Sequence, residues 1–127
     1  MRERRKPTIL VVEDDDSLLS LFEKVLQQAG FVPSAVATVE AAQCVFARQA
    51  FDIVVSDLSV AGGKHVFEFV AAARAQHPEI AFLIISGYTP EEIASHAEIA
   101  GIPVLEKPFT PLDLIGRISV LLDCRAA

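Results

Sequence analysis

Short apolar runs alternate along this chain with longer stretches of helical periodicity. The runs are Ile9–Val12, Phe31–Ala37, Phe51–Ser56, Ile80–Ile85 and Ile102–Leu105, each of strand length. Between them, Ser17–Ala29 carries Leu18, Leu21, Phe22, Val25, Leu26 and Ala29 as a broad apolar face and ends at Gly30, a residue suited to the turn after a helix. Thr38 caps a second helix that runs to about Gln49. A Gly62-Gly63 loop opens a third, through Gln76, stopped ahead of Pro78. Thr89-Pro90-Glu91-Glu92 and Thr110-Pro111-Leu112-Asp113 each combine an N-cap hydroxyl, a proline at the first helical position and a capping acid. They predict a fourth helix and a last one through about Leu122.

Strands that alternate with helices imply a parallel sheet covered on both faces, with right-handed crossovers. Proline cannot donate to a ladder. Pro33 and Pro103 therefore send the second and fifth runs to the edges, and the proline-free, more apolar runs take the centre. The order 2-1-3-4-5, known for flavodoxin-like (βα)5 sheets, satisfies these constraints. In that architecture ligands bind beyond the carboxyl ends of the strands.

Those ends carry the chemistry. Glu13-Asp14, Asp57, Ser86 and Lys107 each follow an apolar run, so the sheet brings two or three carboxylates, a hydroxyl and an ammonium to one rim. At ~4 Å and an effective dielectric of ~20, each like-charge pair costs about 4 kcal/mol, so the cluster calls for a cation or a proton. Carboxylate oxygens without a nearby histidine favour Mg²⁺ over zinc. Beside such a metal Asp57 is a candidate nucleophile for phosphoryl transfer. Lys107 would offset charge on the transferring group, and Ser86 could donate a hydrogen bond to it. Asp15 and Asp16 suit the positive end of the first helix. His65, His77 and His96 have no metal-ligand spacing and read as surface residues. No dinucleotide fingerprint, P-loop, CxxC or nucleophile elbow is present.

The chain has 127 residues, the size of one domain over 1–127, with a basic segment at 1–7 and a short tail at 124–127. A formal net charge of −6 argues against nucleic-acid binding. No stretch is apolar enough to span a membrane, and no secretory signal pattern opens the chain. Cys44 and Cys124 are far apart and read as reduced thiols of a cytoplasmic protein; Cys44 is expected to pack as a small apolar residue.

Four segments together resemble the receiver domain of two-component response regulators, of the chemotaxis-regulator kind. They are Ile9-Leu10-Val11-Val12-Glu13-Asp14-Asp15, Asp52-Ile53-Val54-Val55-Ser56-Asp57-Leu58, Ile84-Ile85-Ser86-Gly87 and Lys107-Pro108-Phe109. The resemblance implies Asp57 as phosphoacceptor, Asp14 as direct Mg²⁺ ligand, Glu13 as a ligand through water, and Ser59 as donor of a backbone carbonyl. It implies Ser86 as the switch hydroxyl, Lys107 as the lysine on the phosphoryl group, and a cis Lys107–Pro108 bond. It places phosphodonor docking at Leu18, Pro108 and their neighbours. The partners it implies are a histidine kinase or phosphotransfer protein, then a downstream protein or second copy on the surface from about Pro90 to Leu122. The domain would take part in its own phosphorylation without being a turnover enzyme.

Three departures from the family pattern stand out. Ala61 occupies a proline position, Lys64-His65 replaces an Asp-Gly pair, and Val104 sits where an aromatic switch residue is usual. Tyr88, the chain's one tyrosine, falls where the family tunes water access to the acyl phosphate. Two other classes bear on the same residues: an aspartate-nucleophile phosphatase of the haloacid-dehalogenase type, and a receiver-like interaction module that works without phosphorylation. The first fits poorly, because its nucleophile belongs on the first strand.

Overall fold

The computed structural model describes residues 6–58, 64–88, 91, 93 and 99–126. Five strands, β1 (Thr8–Val12), β2 (Val32–Val36), β3 (Ile53–Asp57), β4 (Ala81–Ser86) and β5 (Val104–Glu106), form one parallel sheet in the order β2-β1-β3-β4-β5. The described helices are α1 (Asp16–Gln28), α2 (Val39–Arg48), α3 (Lys64–Gln76) and α4 (Pro111–Ala126). The helix expected after Thr89 lies largely outside the described residues, as do Ser59, Ala61–Gly63, His96 and the side chain of His65.

Strand alternation divides the core into two layers. Leu10, Val12, Val54 and Ile84 point to one side and pack with Val39 and Ala42 of α2 and with Val66, Phe69, Val70 and Ala73 of α3. Ile9, Val11, Ile53, Val55, Leu83 and Ile85 point to the other and meet Phe22 and Leu26 of α1 and Leu114 and Ile118 of α4. The three-layer, flavodoxin-like arrangement is the one the alternating pattern predicts, because strands buried on both faces need apolar residues at every position.

Local chemistry fixes the ends of the elements. The Asp15 carboxylate caps α1 by accepting from the Leu18 N–H at 3.1 Å. Gly30 takes φ +95 after that helix, and the Gly30 and Phe31 amides return to the carbonyls of Gln27 and Leu26, the paired bonds of a Schellman turn. Thr38 caps α2 through the Ala41 N–H. At the start of α4, Asp113 accepts from the Thr110 N–H at 2.9 Å while Thr110 accepts from the Asp113 N–H at 3.1 Å, a reciprocal capping box.

Three expectations need correction. The fifth strand is Val104–Glu106, so Pro103 precedes it and serves the ladder only as an acceptor, from the Ile84 N–H at 3.0 Å. Cys44 is exposed. It lies about 200° around α2 from the buried Ala42, on the side turned from the sheet. Leu21 is also exposed, since Phe22 and Leu26 are the α1 residues that reach the core. No described helix is long and apolar enough to cross a membrane.

Candidate functional site

Of the expected residues, Glu13, Asp14, Asp57, Ser86 and Lys107 stand at or just past the carboxyl ends of β1, β3, β4 and β5. Glu13 follows β1 and stays attached to the sheet through its N–H on the Val36 carbonyl at 3.0 Å. Its side chain is 2 % exposed. Oε2 accepts from the Asp15 N–H at 3.1 Å, and Oε1 is buried with no hydrogen-bond partner among the described residues. Burial first, and then contact with the Asp57 carboxyl, push Glu13 from 4.5 up to about 7. A carboxyl in that position holds a proton or gives it up to a cation.

Asp57 closes β3 at 1 % exposure. Lys107, just past β5, sets its Nζ 2.6 Å from Asp57 Oδ2. Burial of the ammonium works against its charge, but Asp57 and, behind it, Glu13 and Asp14 outweigh that and raise the Lys107 pKa. The lysine backbone is anchored as well, its N–H donating to the Ser86 carbonyl at 2.8 Å. Lys107–Pro108 is cis, in the only dipeptide type where that state is common.

Ser86 ends β4 and is also 1 % exposed. Its Oγ accepts from the Tyr88 N–H at 2.8 Å. The Tyr88 ring is 52 % exposed. Asp14 is exposed beside the buried pair, and Val104 packs half-buried against the layer under α2 and α3. His77 lies away from the rim, its Nδ1 3.2 Å from Glu79 and its ring edge-on to Phe46.

Leu18 and Pro108 share the wall of an open cleft of about 280 Å³ with Leu21, Phe22, Val25 and Phe109. Phe22 and Phe109 stack there at 5.9 Å. Sequence reasoning did not single out Phe109 for that wall, although an aromatic directly after a Lys-Pro turn was its signal. It also passed over two buried polar residues. Asp52 accepts from the N–H and hydroxyl of Thr8, tying the start of β3 to that of β1. Ser56 is buried one residue before Asp57, with no hydrogen-bond partner for its Oγ among the described residues.

Among the described residues, no three His, Cys, Asp or Glu side chains form a group that could hold a metal by themselves. Mg²⁺ keeps several waters and takes one or two carboxylates with a phosphate. The buried, unpartnered oxygen of Glu13 and the hard-oxygen donor set fit such an ion.

The family model for the response regulator receiver domain matches residues 9–119. Response regulator protein FleR of Pseudomonas aeruginosa is 33% identical over 113 residues, covering 86% of this chain and 24% of that protein. The hydrogenase transcriptional regulatory protein HoxA of Cupriavidus necator is 30% identical over 123 residues, covering 95% of this chain and 25% of its own. The chain thus spans about a quarter of the length of these curated relatives. Of solved structures, a response regulator receiver protein from Sinorhizobium medicae superposes with a TM-score of 0.84 at 34% identity, over 95% of this chain and 98% of that one. The chemotaxis response regulator CheY4 of Vibrio cholerae superposes with a TM-score of 0.80 at 26% identity, over 92% and 99%. With the family match running from β1 into α4 over a sheet of flavodoxin-like order, the chain belongs to the response regulator receiver domains of two-component systems.

Proposed function

We propose that the domain is a phosphoacceptor switch in which Asp57 takes a phosphoryl group from a histidine kinase or phosphotransfer protein. The observation that carries this reading is the Lys107 ammonium 2.6 Å from a carboxylate sealed at the end of a central strand. A sealed carboxylate with a fixed cation is a nucleophile already paired with the charge that will stabilise its product. An Asp57 oxygen attacks phosphorus as the bond from phosphorus to the donor histidine nitrogen breaks, and that ring, carrying a proton on its other nitrogen, leaves as neutral imidazole. Lys107 offsets charge on the transferring oxygens, and the Ser86 hydroxyl donates to the phosphoryl group. Mg²⁺, held by Asp14 and Asp57 with the Ser59 carbonyl and with Glu13 through water, would supply the remaining neutralisation.

The cleft at Leu18 and Pro108 is the proposed landing place for the donor. The surface from Pro90 to Leu122 is the proposed output face, read by a downstream protein or a second copy as the added charge shifts its population of states. In this role the domain is a switch and not a turnover enzyme. Two exposed free thiols, Cys44 and Cys124, accord with a reducing cytoplasm.

The test is incubation with Mg²⁺ and acetyl phosphate, followed by intact mass. One phosphoryl adduct is expected, lost in Asp57→Asn. No adduct, or one that persists in Asp57→Asn, refutes the reading and leaves a phosphorylation-independent interaction module. Mg²⁺ affinity measured by NMR titration is expected to fall strongly in Asp14→Asn; an unchanged affinity would move the metal elsewhere.

A further inference from the structure

We infer that the main-chain N–H of Tyr88, and not its ring, is the group that positions Ser86 for phosphoryl transfer to Asp57. This rests on the phosphoacceptor reading and adds a positioning residue to it.

A serine hydroxyl has one proton and two lone pairs. On an exposed serine, water occupies these sites and the side chain turns among its staggered rotamers. Ser86 is 1 % exposed, so its partners must come from the protein. One is the Tyr88 N–H, 2.8 Å from Oγ. This is the local turn in which a serine oxygen accepts from the amide two residues on. With a lone pair held there, the oxygen acts as acceptor toward the loop and keeps its proton for donation elsewhere. Hydrogen bonds in series polarise one another, so the amide also makes that hydroxyl a better donor.

The backbone on either side of Ser86 is already fixed. Its carbonyl accepts from the Lys107 N–H at 2.8 Å, and Lys107 in turn reaches Asp57. The preceding Ile85 pairs with Asp57 across the ladder, with its carbonyl taking the Leu58 N–H at 3.0 Å. The main chain of β4 is therefore registered against both the acceptor and the lysine. What remains to be set is the direction of one hydroxyl, and the Tyr88 amide sets it. The tyrosine ring, 52 % exposed, is not needed for this.

The experiment separates amide from ring. Tyr88→Pro removes the N–H, while Tyr88→Ala removes the ring and keeps the N–H, so the ratio between them reads the amide. In wild-type Ser86 background the initial rate of phosphorylation by acetyl phosphate with Mg²⁺ is expected to be roughly three- to tenfold lower in Tyr88→Pro than in Tyr88→Ala. In Ser86→Ala the ratio is expected to collapse to about one, because no hydroxyl is left to orient. Ser86→Thr, which keeps a hydroxyl, is expected to restore it. A ratio that stays the same in Ser86→Ala would mean that proline acts by distorting the loop, and would overturn the inference; so would a ratio of one throughout. A second arm needs no phosphoryl transfer. Amide hydrogen exchange at residue 88 is expected to be several-fold faster in Ser86→Ala than in wild type. Unchanged exchange overturns the positioning role while leaving Asp57 as acceptor, whereas absence of any adduct on the wild-type protein overturns the acceptor reading itself.

Discussion

The metal-free domain should lose stability as pH rises from about 4.5 to about 7, and Glu13 is the reason. Its carboxyl is pushed from 4.5 up to about 7 by burial and by Asp57. Within that window the folded protein keeps the Glu13 proton and the unfolded chain releases it. The native state then binds more protons, so stability falls with pH. The contribution is fully present below 4.5 and gone above 7. At about 1.4 kcal/mol per pH unit, the gap converts to about 3 kcal/mol, or a melting temperature lower by about 10 °C for a domain of this size. The assay is thermal or urea unfolding in EDTA from pH 4 to pH 8, for wild type and Glu13→Gln. Glutamine keeps an oxygen for the Asp15 amide but cannot ionise, so subtracting its curve removes the titration of other groups. Mg²⁺ should shrink the difference, because a bound cation replaces the proton. Parallel curves for the two proteins across the window would refute the reasoning, and a wild type that gained on Glu13→Gln with rising pH would reverse its sign.

Removing the lysine should expose the other half of the same balance. Lys107→Ala leaves the Asp57 carboxylate sealed without its ammonium, at a cost of about 1–2 kcal/mol in urea unfolding, since the lysine is a third exposed and water screens part of its effect; the loss should vanish in an Asp57→Asn background, and a loss of equal size there would show that packing, not charge, was removed. If the Tyr88 ring shields the acyl phosphate, Tyr88→Ala should shorten its lifetime by roughly twofold or more, a modest factor for a half-exposed ring; equal lifetimes by intact mass would rule the ring out. Cys44 and Cys124 should both react with a thiol reagent in the native state at rates near those in denaturant, and a Cys44 that reacts only on unfolding would contradict its place on the outer side of α2.

The sheet was legible because parallel strands buried on both faces leave unbroken apolar runs, and because Pro33 marked one edge from within β2, while Pro103 pointed to the other edge from just ahead of β5. The rim was legible because each run stops at a polar residue where the strand leaves the core, as Val12 gives way to Glu13 and Ile85 to Ser86. The bounds of β5 were not. Ile102 is buried yet held by a tight turn to Ile99, so burial and ladder membership are separate constraints that one hydropathy pattern merges. The same merging hid Leu21: the apolar face of α1 is wider than the sheet can cover, and its surplus lines the cleft with Pro108. For Cys44 the residue type suggested burial, but helix phase, set by Val39 and Ala42, decided against it. The bond from the Tyr88 amide to Ser86 had no signal in residue types, because a backbone donor is available at every position but proline.

β5 pairs with β4 at three residues, whereas β3 pairs with it at five. The free energy of local opening grows with the ladder bonds broken and the apolar surface bared, so short edge elements detach well before a domain unfolds. The site is therefore a joint between parts of unequal durability. The acceptor ends an interior strand paired on both sides, and the cation follows a three-residue strand at the edge. An opening of β5 would withdraw Lys107 while Asp57 stayed in place, and would break the backbone link from Lys107 to Ser86. Amide exchange should report the asymmetry as earlier labelling at Leu105 and Lys107 than at Val54 and Val55.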